Sequence, residues 1–234
     1  ILSLFSSKLM GIFSDSIYDA INNPPKSNGT GKAVMKSAST NLKRLTLELG
    51  GNDAGIVLAD ANIVAMAPKI FATAFINNGQ TCAALKRLYV HESIHDELCD
   101  ELVKIANSVK TGNGLEADSD FGPLQNESQF NLVKELADDA KVQGGNFLCG
   151  GEVINDTGYF YPITLVNNIS DGVRLVDEEQ FGPILPIIKF SDVEEVLARA
   201  NSCEFGLGGS VWSTDIDKAT KLAQRLECGS SWVN

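Results

Sequence analysis

Two short stretches of the sequence carry residue types that could act on a carbonyl carbon. Cys82 follows an Asn-Gly break after an apolar run, in FINNGQTCAA, and its thiolate could be a nucleophile. A cysteine at such a junction can face a cleft while its own backbone N–H points at a bound carbonyl oxygen. The alternative is an inert, buried cysteine after a turn, and the local sequence leaves both interpretations open.

Glu48 is the second candidate, in LELGGNDA, where it lies inside an apolar stretch that we predict to be a strand. Burial of a carboxylate raises its pKa, which suits a general base near neutral pH. The pair Gly50-Gly51 would allow a sharp turn or the close approach of a ligand. A glutamate on the open face of an edge strand is the alternative, and it also stays open.

Segments with the patterns of strands and helices alternate along the chain and would position these residues. The predicted strands are 44–51, 54–59, 86–92, 161–169, 184–190, 206–213 and 230–234. The predicted helices are 62–77, a segment from 93 that Gly112 stops, 127–145, 191–201 and 215–229, and Ser191 with Glu194 has the spacing of a capping box. This alternation predicts an α/β fold with a largely parallel sheet.

Composition limits the function classes. The net charge of -11 argues against a nucleic-acid partner, whose phosphates need Lys and Arg. No apolar run is long enough to span a membrane, and the N-terminal stretch lacks the basic start of a secretory signal. The five cysteines are widely spaced without a CxxC pair, which predicts neither a zinc site nor a disulfide framework. We therefore predict a cytoplasmic protein without a metal.

Several other residues of chemical interest are predicted to have structural roles. We expect His91 and His95 to lie at the surface or to have hydrogen-bond partners. The remaining cysteines and the two tryptophans are expected to pack as apolar residues: Cys99, Cys149, Cys203, Cys228, Trp212 and Trp232.

Taken together, the motifs resemble those of the aldehyde dehydrogenase superfamily. The resemblance rests on LELGGNDAGIVLADANI, FINNGQTCAA and DEEQFGPILPIIKF, in that order, with support from FGPLQNESQF, GYFYPITLV and EFGLGGSVWS. It covers roughly residues 29–234. It implies a catalytic domain with a layered, largely parallel sheet, and a partial remnant of a Rossmann-like cofactor domain.

The resemblance also implies a mechanism that uses NAD or NADP. Cys82 matches the nucleophile, which forms a thiohemiacetal with an aldehyde and then a thioester. Glu48 matches the base that activates water for thioester hydrolysis, which releases a carboxylic acid. Gly79 and Gln80 match the loop that shapes the approach to the nucleophile, and the N–H of Cys82 would form half of the oxyanion hole.

Other matching positions concern the cofactor. Glu179 matches the carboxylate that binds the nicotinamide ribose, and Phe181 matches the aromatic residue beside the nicotinamide. Leu49 and Gly50 fall within the first motif. The stretch KSNGTGK, residues 26–32, stands where the family has a Gly-Ser-Thr turn before a phosphate-binding helix. Ser27 and Gly31 fit that pattern, and a helix starting at Gly31 could favour an anion.

The chain departs from the family at both ends, so we expect a truncated protein. Residues 1–50 would be the remnant of the cofactor domain, with 1–26 unmatched and disorder one possibility for them, and 51–234 a catalytic domain truncated at its C-terminal end. The predicted partner is a small aldehyde, and a homo-oligomer is what the family implies. The alternatives are an inactive fragment that binds cofactor weakly, and a thiol esterase that uses Cys82 and Glu48.

Overall fold

The computed structural model of the chain describes residues 27–154 and 157–234, in two compact units that divide between Gly50 and Gly51. The first unit contains helix α1 (Ser27–Ser39), a turn at 40–42 and an irregular segment at 43–50. The predictions for residues 1–26 lie outside the described residues. The descent of the first unit from a cofactor domain stays a prediction.

The strand predicted at 44–51 is wrong. Residues 43–50 form no strand, and Glu48 is exposed rather than buried in a sheet. The apolar alternation of RLTLEL fits a strand, but a strand also needs a neighbouring strand, and this segment is not among the strands of the described sheet. Glu48 therefore lacks the burial that the prediction assumed.

The second unit is built on a seven-stranded sheet with the order β3-β4-β5-β2-β1-β6-β7. The strands are β1 (Asp53–Val57), β2 (Leu85–His91), β3 (Asn146–Cys149), β4 (Thr164–Asn167), β5 (Ile184–Phe190), β6 (Gly208–Trp212) and β7 (Ser230–Val233). Every neighbouring pair is parallel except β3 with β4. The predicted α/β class with a largely parallel sheet is confirmed, and β3 is a strand that the prediction missed.

Helices cover both faces of the sheet. They are α2 (Ile63–Phe75), α3 (His95–Ala106), α4 (Glu127–Val142), α5 (Arg174–Asp177), α6 (Val193–Asn201) and α7 (Ile216–Ala223). One apolar core packs α2 and α3 against the sheet, and the other packs α4, α6 and α7 against the opposite face. Leu88 belongs to the first core and Tyr89 to the second, since successive strand residues point to opposite faces.

Two helices differ from prediction in where they end or how they are capped. Helix α3 ends at Ala106, well before Gly112, and Gly112 N–H donates to Phe121 O (2.9 Å) in a separate loop. Helix α6 is capped by Asp192, whose carboxylate accepts from the Glu195 N–H at 2.8 Å, and not by Ser191 with Glu194.

The residues predicted to be structural mostly behave so. His95 is buried, and its Nδ1 pairs with the Asp96 carboxylate at 2.7 Å. Trp212 is buried as predicted, but Trp232 is 50% exposed, which contradicts the prediction that it packs in the core. Burial raises the pKa of Cys99 to about 12, so this thiol is inert. No helix among the described residues has the length and apolar character needed to cross a membrane.

Candidate active site

Four neighbouring strands begin at the edge of the sheet where the predicted site residues of the second unit lie. Cys82 comes shortly before β2, and Glu179 and Phe181 come shortly before β5. β1 and β6 begin at the same edge, because β5, β2, β1 and β6 are parallel neighbours. Open α/β sheets usually bind ligands at the carboxyl ends of their strands. This candidate site lies at the amino ends.

The break before Cys82 is a turn with three consecutive residues of positive φ. They are Asn77 (51°), Asn78 (59°) and Gly79 (73°). Asn tolerates this left-handed region better than most residues, which explains the Asn pair. At Gly79, a Cβ would lie 2.1 Å from the carbonyl oxygen of Gly182, so only glycine fits. The turn ends the helix and directs the chain towards the start of β2.

Side-chain hydrogen bonds fasten this turn to residues 122–125. Asn78 Nδ2 donates to Gly122 O at 3.0 Å. Gln80 Oε1 accepts from Gln125 N–H at 2.9 Å, and its Nε2 donates to Pro123 O at 3.4 Å. The structure thus gives Gln80 the task of holding the turn. Its predicted role in shaping the approach to Cys82 stays a prediction.

Cys82 follows this turn as a free, half-buried cysteine. Its carbonyl oxygen points inward and accepts a hydrogen bond from Lys86 Nζ at 2.7 Å. Its backbone N–H donates to no acceptor within the described residues. The nucleophile candidate therefore has a fixed carbonyl group, and an amide N–H that remains available to an oxygen of a bound molecule.

Glu179 is joined to the Cys82 turn through two groups. Gly51 N–H donates to Glu179 Oε1 at 3.0 Å, and Lys86 Nζ lies 3.8 Å from the same oxygen. Gly51 also packs on Cys82, since a Cβ on Gly51 would lie 2.5 Å from Cys82 O. We expected a ligand to approach the Gly50-Gly51 pair closely. In the structure the group that lies close to Gly51 is the backbone of Cys82.

Three titratable side chains meet at this edge and perturb one another. Burial raises the pKa of Glu179, while the Gly51 N–H and Lys86 oppose the rise. Burial lowers the pKa of Lys86, and the charges of Glu179 and Asp53 oppose that change. Burial likewise raises the pKa of Asp53 to about 6, although Lys86 lowers it. The charge of Lys86 thus acts on both carboxyl groups, and the charge of Arg87 also lowers the pKa of Asp53.

Sequence reasoning missed Lys86 and Asp53. Lys86 is 3% exposed and Asp53 is 4% exposed, and both lie at the start of strands predicted to be buried. Burying a charged side chain costs free energy unless an opposite charge lies beside it. An Asp and a Lys at the starts of two buried strands therefore indicated that the two side chains lie close together. Reading that signal requires knowing that β1 and β2 are parallel neighbours.

Phe181 has an unusual backbone, with φ of 46°, which is strained for a residue with a Cβ. The preceding Gln180 is buried and holds this conformation. Its backbone oxygen accepts from Gln129 Nε2 at 2.8 Å, and its own Nε2 donates to Lys86 O at 3.4 Å and to Leu175 O. The structure so places Glu179 and Phe181 on a rigid segment. Whether they contact a cofactor stays a prediction.

The candidate residues of the first unit are described separately. Helix α1 begins at Ser27, so Gly31 lies inside the helix and does not start it, contrary to the prediction. A Cβ on Gly31 would lie 2.9 Å from a methyl group of Leu49, which shows that Gly31 makes room for Leu49. Gly50 ends the unit. Cofactor binding by Ser27, Gly31, Leu49 and Gly50 stays a prediction.

A cavity of about 560 Å³ lies beside the turn of Cys82. Thr81 and Ala83, on either side of Cys82, line it together with Ile76 and Trp232. The rest of the lining mixes apolar and polar residues, and Asp53 is the acidic residue in it; the other lining residues are Lys69, Ala72, Thr73, Leu85, Gly209, Ser210, Trp212 and Asn234. The cavity could take the apolar part of a small molecule whose reactive carbon reaches Cys82.

The other thiols have structural environments. Burial raises the pKa of Cys149 and of Cys228. Cys203 Sγ accepts a hydrogen bond from Arg87 Nη2 at 3.1 Å. Among the described residues, no three His, Cys, Asp or Glu side chains lie close enough together to hold a metal ion.

Comparison with known proteins places these features in a family. Residues 26–234 match the sequence profile described as the aldehyde dehydrogenase family. The chain is 38% identical over 231 residues to retinaldehyde dehydrogenase 3 of Rattus norvegicus, a match that covers 95% of this chain and 45% of that protein. The chain thus spans less than half the length of the curated relatives it matches.

Solved structures agree with the sequence match. The NAD⁺ complex of aldehyde dehydrogenase from Bacillus cereus superposes with a TM-score of 0.84 at 35% identity, over 87% of this chain and 42% of that one. An NADP-dependent enzyme of E. coli gives the same TM-score at 32% identity, with the same coverage of both chains. By its sequence and by its fold, the chain belongs to the aldehyde dehydrogenase family.

Proposed function

We propose that this chain carries the catalytic centre of an NAD(P)-dependent aldehyde dehydrogenase, with Cys82 as the nucleophile. The observation that carries the proposal is the geometry at Cys82. The residue is only half-buried, its carbonyl accepts a hydrogen bond from Lys86, and its N–H is free of protein acceptors in the described residues. A nucleophile needs just these conditions: access, a fixed direction of attack and a donor for the developing oxyanion.

The chemistry at Cys82 follows in two stages. The thiolate adds to the aldehyde carbon, a C–S bond forms, and the carbonyl oxygen takes the negative charge and accepts a hydrogen bond from the Cys82 N–H. A bound NAD⁺ or NADP⁺ would supply the acceptor for the hydride that leaves this carbon. A thioester remains on Cys82, and water attacks it to release a carboxylic acid and restore the thiolate.

Glu48 is proposed as the base that takes a proton from that water. The support is its place in LELGGNDA together with the family match over residues 26–234. Its carboxylate is exposed on the first unit, so water reaches it. A carboxylate in contact with water can act as a base only when it is held within hydrogen-bond reach of the attacking water.

Glu179 and Phe181 are proposed to contact the nicotinamide end of the cofactor. The Glu179 side chain is 17% exposed, and its Oε1 is already oriented by the Gly51 N–H. The carboxylate can therefore accept hydroxyl hydrogen bonds from a ribose without changing its position. Ser27, Gly31, Leu49 and Gly50 complete the proposed set. The expected weak cofactor binding of this chain can be measured by calorimetric titration with NAD⁺ and NADP⁺.

The cavity beside Cys82 favours aldehydes with an apolar substituent. Its lining includes Ile76, Ala72, Leu85 and the two tryptophans, whose side chains can pack against an alkyl or aryl group. Replacing Ile76, which is 54% exposed, with Trp would narrow the cavity. We expect that variant to discriminate against long-chain aldehydes relative to acetaldehyde.

The proposal is tested with Cys82→Ala, using Cys149→Ala as the matched control because Cys149 is also partly buried and free. The formation of NADH or NADPH with an aliphatic aldehyde, and the release of nitrophenol from p-nitrophenyl acetate, are measured for each protein. We expect Cys82→Ala to lose both activities and Cys149→Ala to keep them. If Cys82→Ala matches the wild type in both assays, Cys82 is not the nucleophile.

The same assays separate the alternative functions. Ester hydrolysis without aldehyde oxidation would show a thiol esterase, since the ester needs no cofactor. Absence of both activities in the wild type, in a folded chain, would indicate an inactive fragment.

A further inference from the structure

The ammonium group of Lys86 is surrounded by acceptors from the turn that carries Cys82. Nζ donates to Cys82 O at 2.7 Å, to Thr81 O at 2.8 Å and to Ala84 O at 3.3 Å. An ammonium group has three N–H donors, so these bonds use all of them. The turn from Thr81 to Ala84 is therefore wrapped around one buried cation.

The same ammonium group faces the carboxylate proposed to bind the cofactor ribose. Glu179 Oε1 lies 3.8 Å from Nζ, and it also accepts the Gly51 N–H at 3.0 Å. Gly51 in turn packs on Cys82 O. Cys82, Lys86, Glu179 and Gly51 thus form a closed ring of contacts, and a shift of any member moves the other three.

Other charged groups near the ring come from the neighbouring strands. Asp53 at the start of β1 is buried, its Oδ1 accepts from Gly208 N–H at 3.1 Å, and its Oδ2 has no hydrogen-bond partner among the described residues. Arg87 points its Nε to Asn52 O at 2.9 Å. The charges of Asp53 and Glu179 both act on Lys86, so the buried cation is compensated from two sides.

We propose, on the basis of the function proposed above, that Lys86 is a positioning residue that fixes the backbone of Cys82 and links it to Glu179. A rigid carbonyl at Cys82 fixes the direction of the thiol and of the free N–H of the same residue. Displacement of a catalytic group by about 1 Å can cost on the order of 100-fold in rate. Lys86 contacts neither the substrate nor the reacting atoms in this account.

The first test is Lys86→Met, which keeps the length of the side chain and removes the donors and the charge. The control is Lys189→Met on β5, an exposed lysine that pairs with Asp96 at 3.0 Å. Hydrogen exchange is followed by mass spectrometry in peptides that cover residues 76–85. We expect exchange to be faster by about tenfold or more in Lys86→Met and to stay within about twofold of wild type in the control.

The second readout is kcat/KM for p-nitrophenyl acetate, which reports on Cys82 without cofactor. We expect a fall of about tenfold or more in Lys86→Met and little change in Lys189→Met. The link to Glu179 is tested with Glu179→Gln and the double variant. If Lys86 and Glu179 act together, the fall in kcat/KM of the double variant will be smaller than the product of the falls in the two single variants. If the two residues act independently, the fall will equal that product.

A measurement on the folded wild type covers the case in which Lys86→Met does not fold. An NMR spectrum of the lysine ammonium groups should contain one slowly exchanging signal, which is absent in Lys86→Arg and shifts in Glu179→Gln. The proposal is overturned if no protected ammonium signal exists, or if exchange and ester hydrolysis in a folded Lys86→Met stay within about twofold of wild type. A fully active Cys82→Ala would instead overturn the proposed function, and the exchange experiment would still test Lys86.

Discussion

Replacing Asp53 with Asn should stabilise the protein at neutral pH, even though it removes a charge from beside Lys86. Burial raises the pKa of Asp53 from 3.8 to about 6, more than Lys86 and the Gly208 N–H lower it. This rise of about two pKa units corresponds to a ceiling of about 3 kcal/mol in the free energy of unfolding. The ionised carboxylate is thus less stable in the folded protein than in the unfolded chain.

The sign follows from proton binding. Between pH 3.8 and about 6, the folded protein holds the Asp53 proton more tightly than the unfolded chain does, so stability falls as the pH rises through this window. Above it, the whole penalty remains. Asn keeps the oxygen that accepts from Gly208 and carries no charge. We expect Asp53→Asn to gain about 1–3 kcal/mol near pH 8 and about 0 below pH 4.

Urea unfolding between about pH 3 and pH 8, followed by tryptophan fluorescence, measures this effect. Asp60→Asn is a control of opposite sign. Although partial burial raises the pKa of Asp60, hydrogen bonds from Ser213 and Thr214 lower it to about 2. Asp60 therefore stabilises the fold above pH 3.8, and that stability is lost as the pH falls through about 2.

Because Asp60 is exposed, the expected loss in Asp60→Asn at neutral pH is discounted to about 1 kcal/mol. A lower stability of Asp53→Asn near pH 8, or the same sign of change in both variants, would refute the reasoning.

Two further predictions concern local structure, each measured by urea unfolding. Gly79→Ala should lower the free energy of unfolding by about 3 kcal/mol or more, because the new Cβ would lie 2.1 Å from Gly182 O. The control is Gly144→Ala, where φ is 88° but no atom lies within 4 Å of the Cβ, and it should lower the free energy of unfolding by only about 1 kcal/mol. Equal losses in the two variants would contradict the steric argument. Asn62→Ala removes the side-chain oxygen that accepts from the Ala65 N–H (3.1 Å) at the start of α2, and it should lower the free energy of unfolding by about 1 kcal/mol. An unchanged free energy of unfolding would show that this cap does not stabilise α2.

The central strands of the sheet were predictable because they are buried on both faces and lie between clear helices. β5 is apolar at every position except Lys189, and β2 is apolar at four of its seven positions, and both strands are almost fully buried, as is typical of parallel strands. β3 was missed because it is a four-residue edge strand, and its sequence, NFLC, is too short for a periodic signal. The apolar alternation at 44–51 led to a wrong prediction of a strand, because an alternating pattern does not by itself provide a neighbouring strand to pair with.

The candidate site was predictable only in part. The positions of Cys82 and Glu179 follow from motifs that are contiguous in sequence. The cluster of Lys86, Asp53 and Gly51 is assembled from the starts of two strands, and it depends on their register, in which Asp53 pairs with Leu85. Register cannot be derived from either segment alone, so sequence reasoning missed the cation that donates a hydrogen bond to the carbonyl oxygen of Cys82.

The most direct test of the account is to trap the acyl group on the protein. The chain is mixed with p-nitrophenyl acetate, quenched with acid during the burst of nitrophenol release, and digested for mass spectrometry. We predict an acetyl group on the peptide that contains Cys82, removed by hydroxylamine and absent in Cys82→Ala. Turnover with the acetyl group on any other residue, or with none on Cys82, would contradict the claim that Cys82 is the nucleophile.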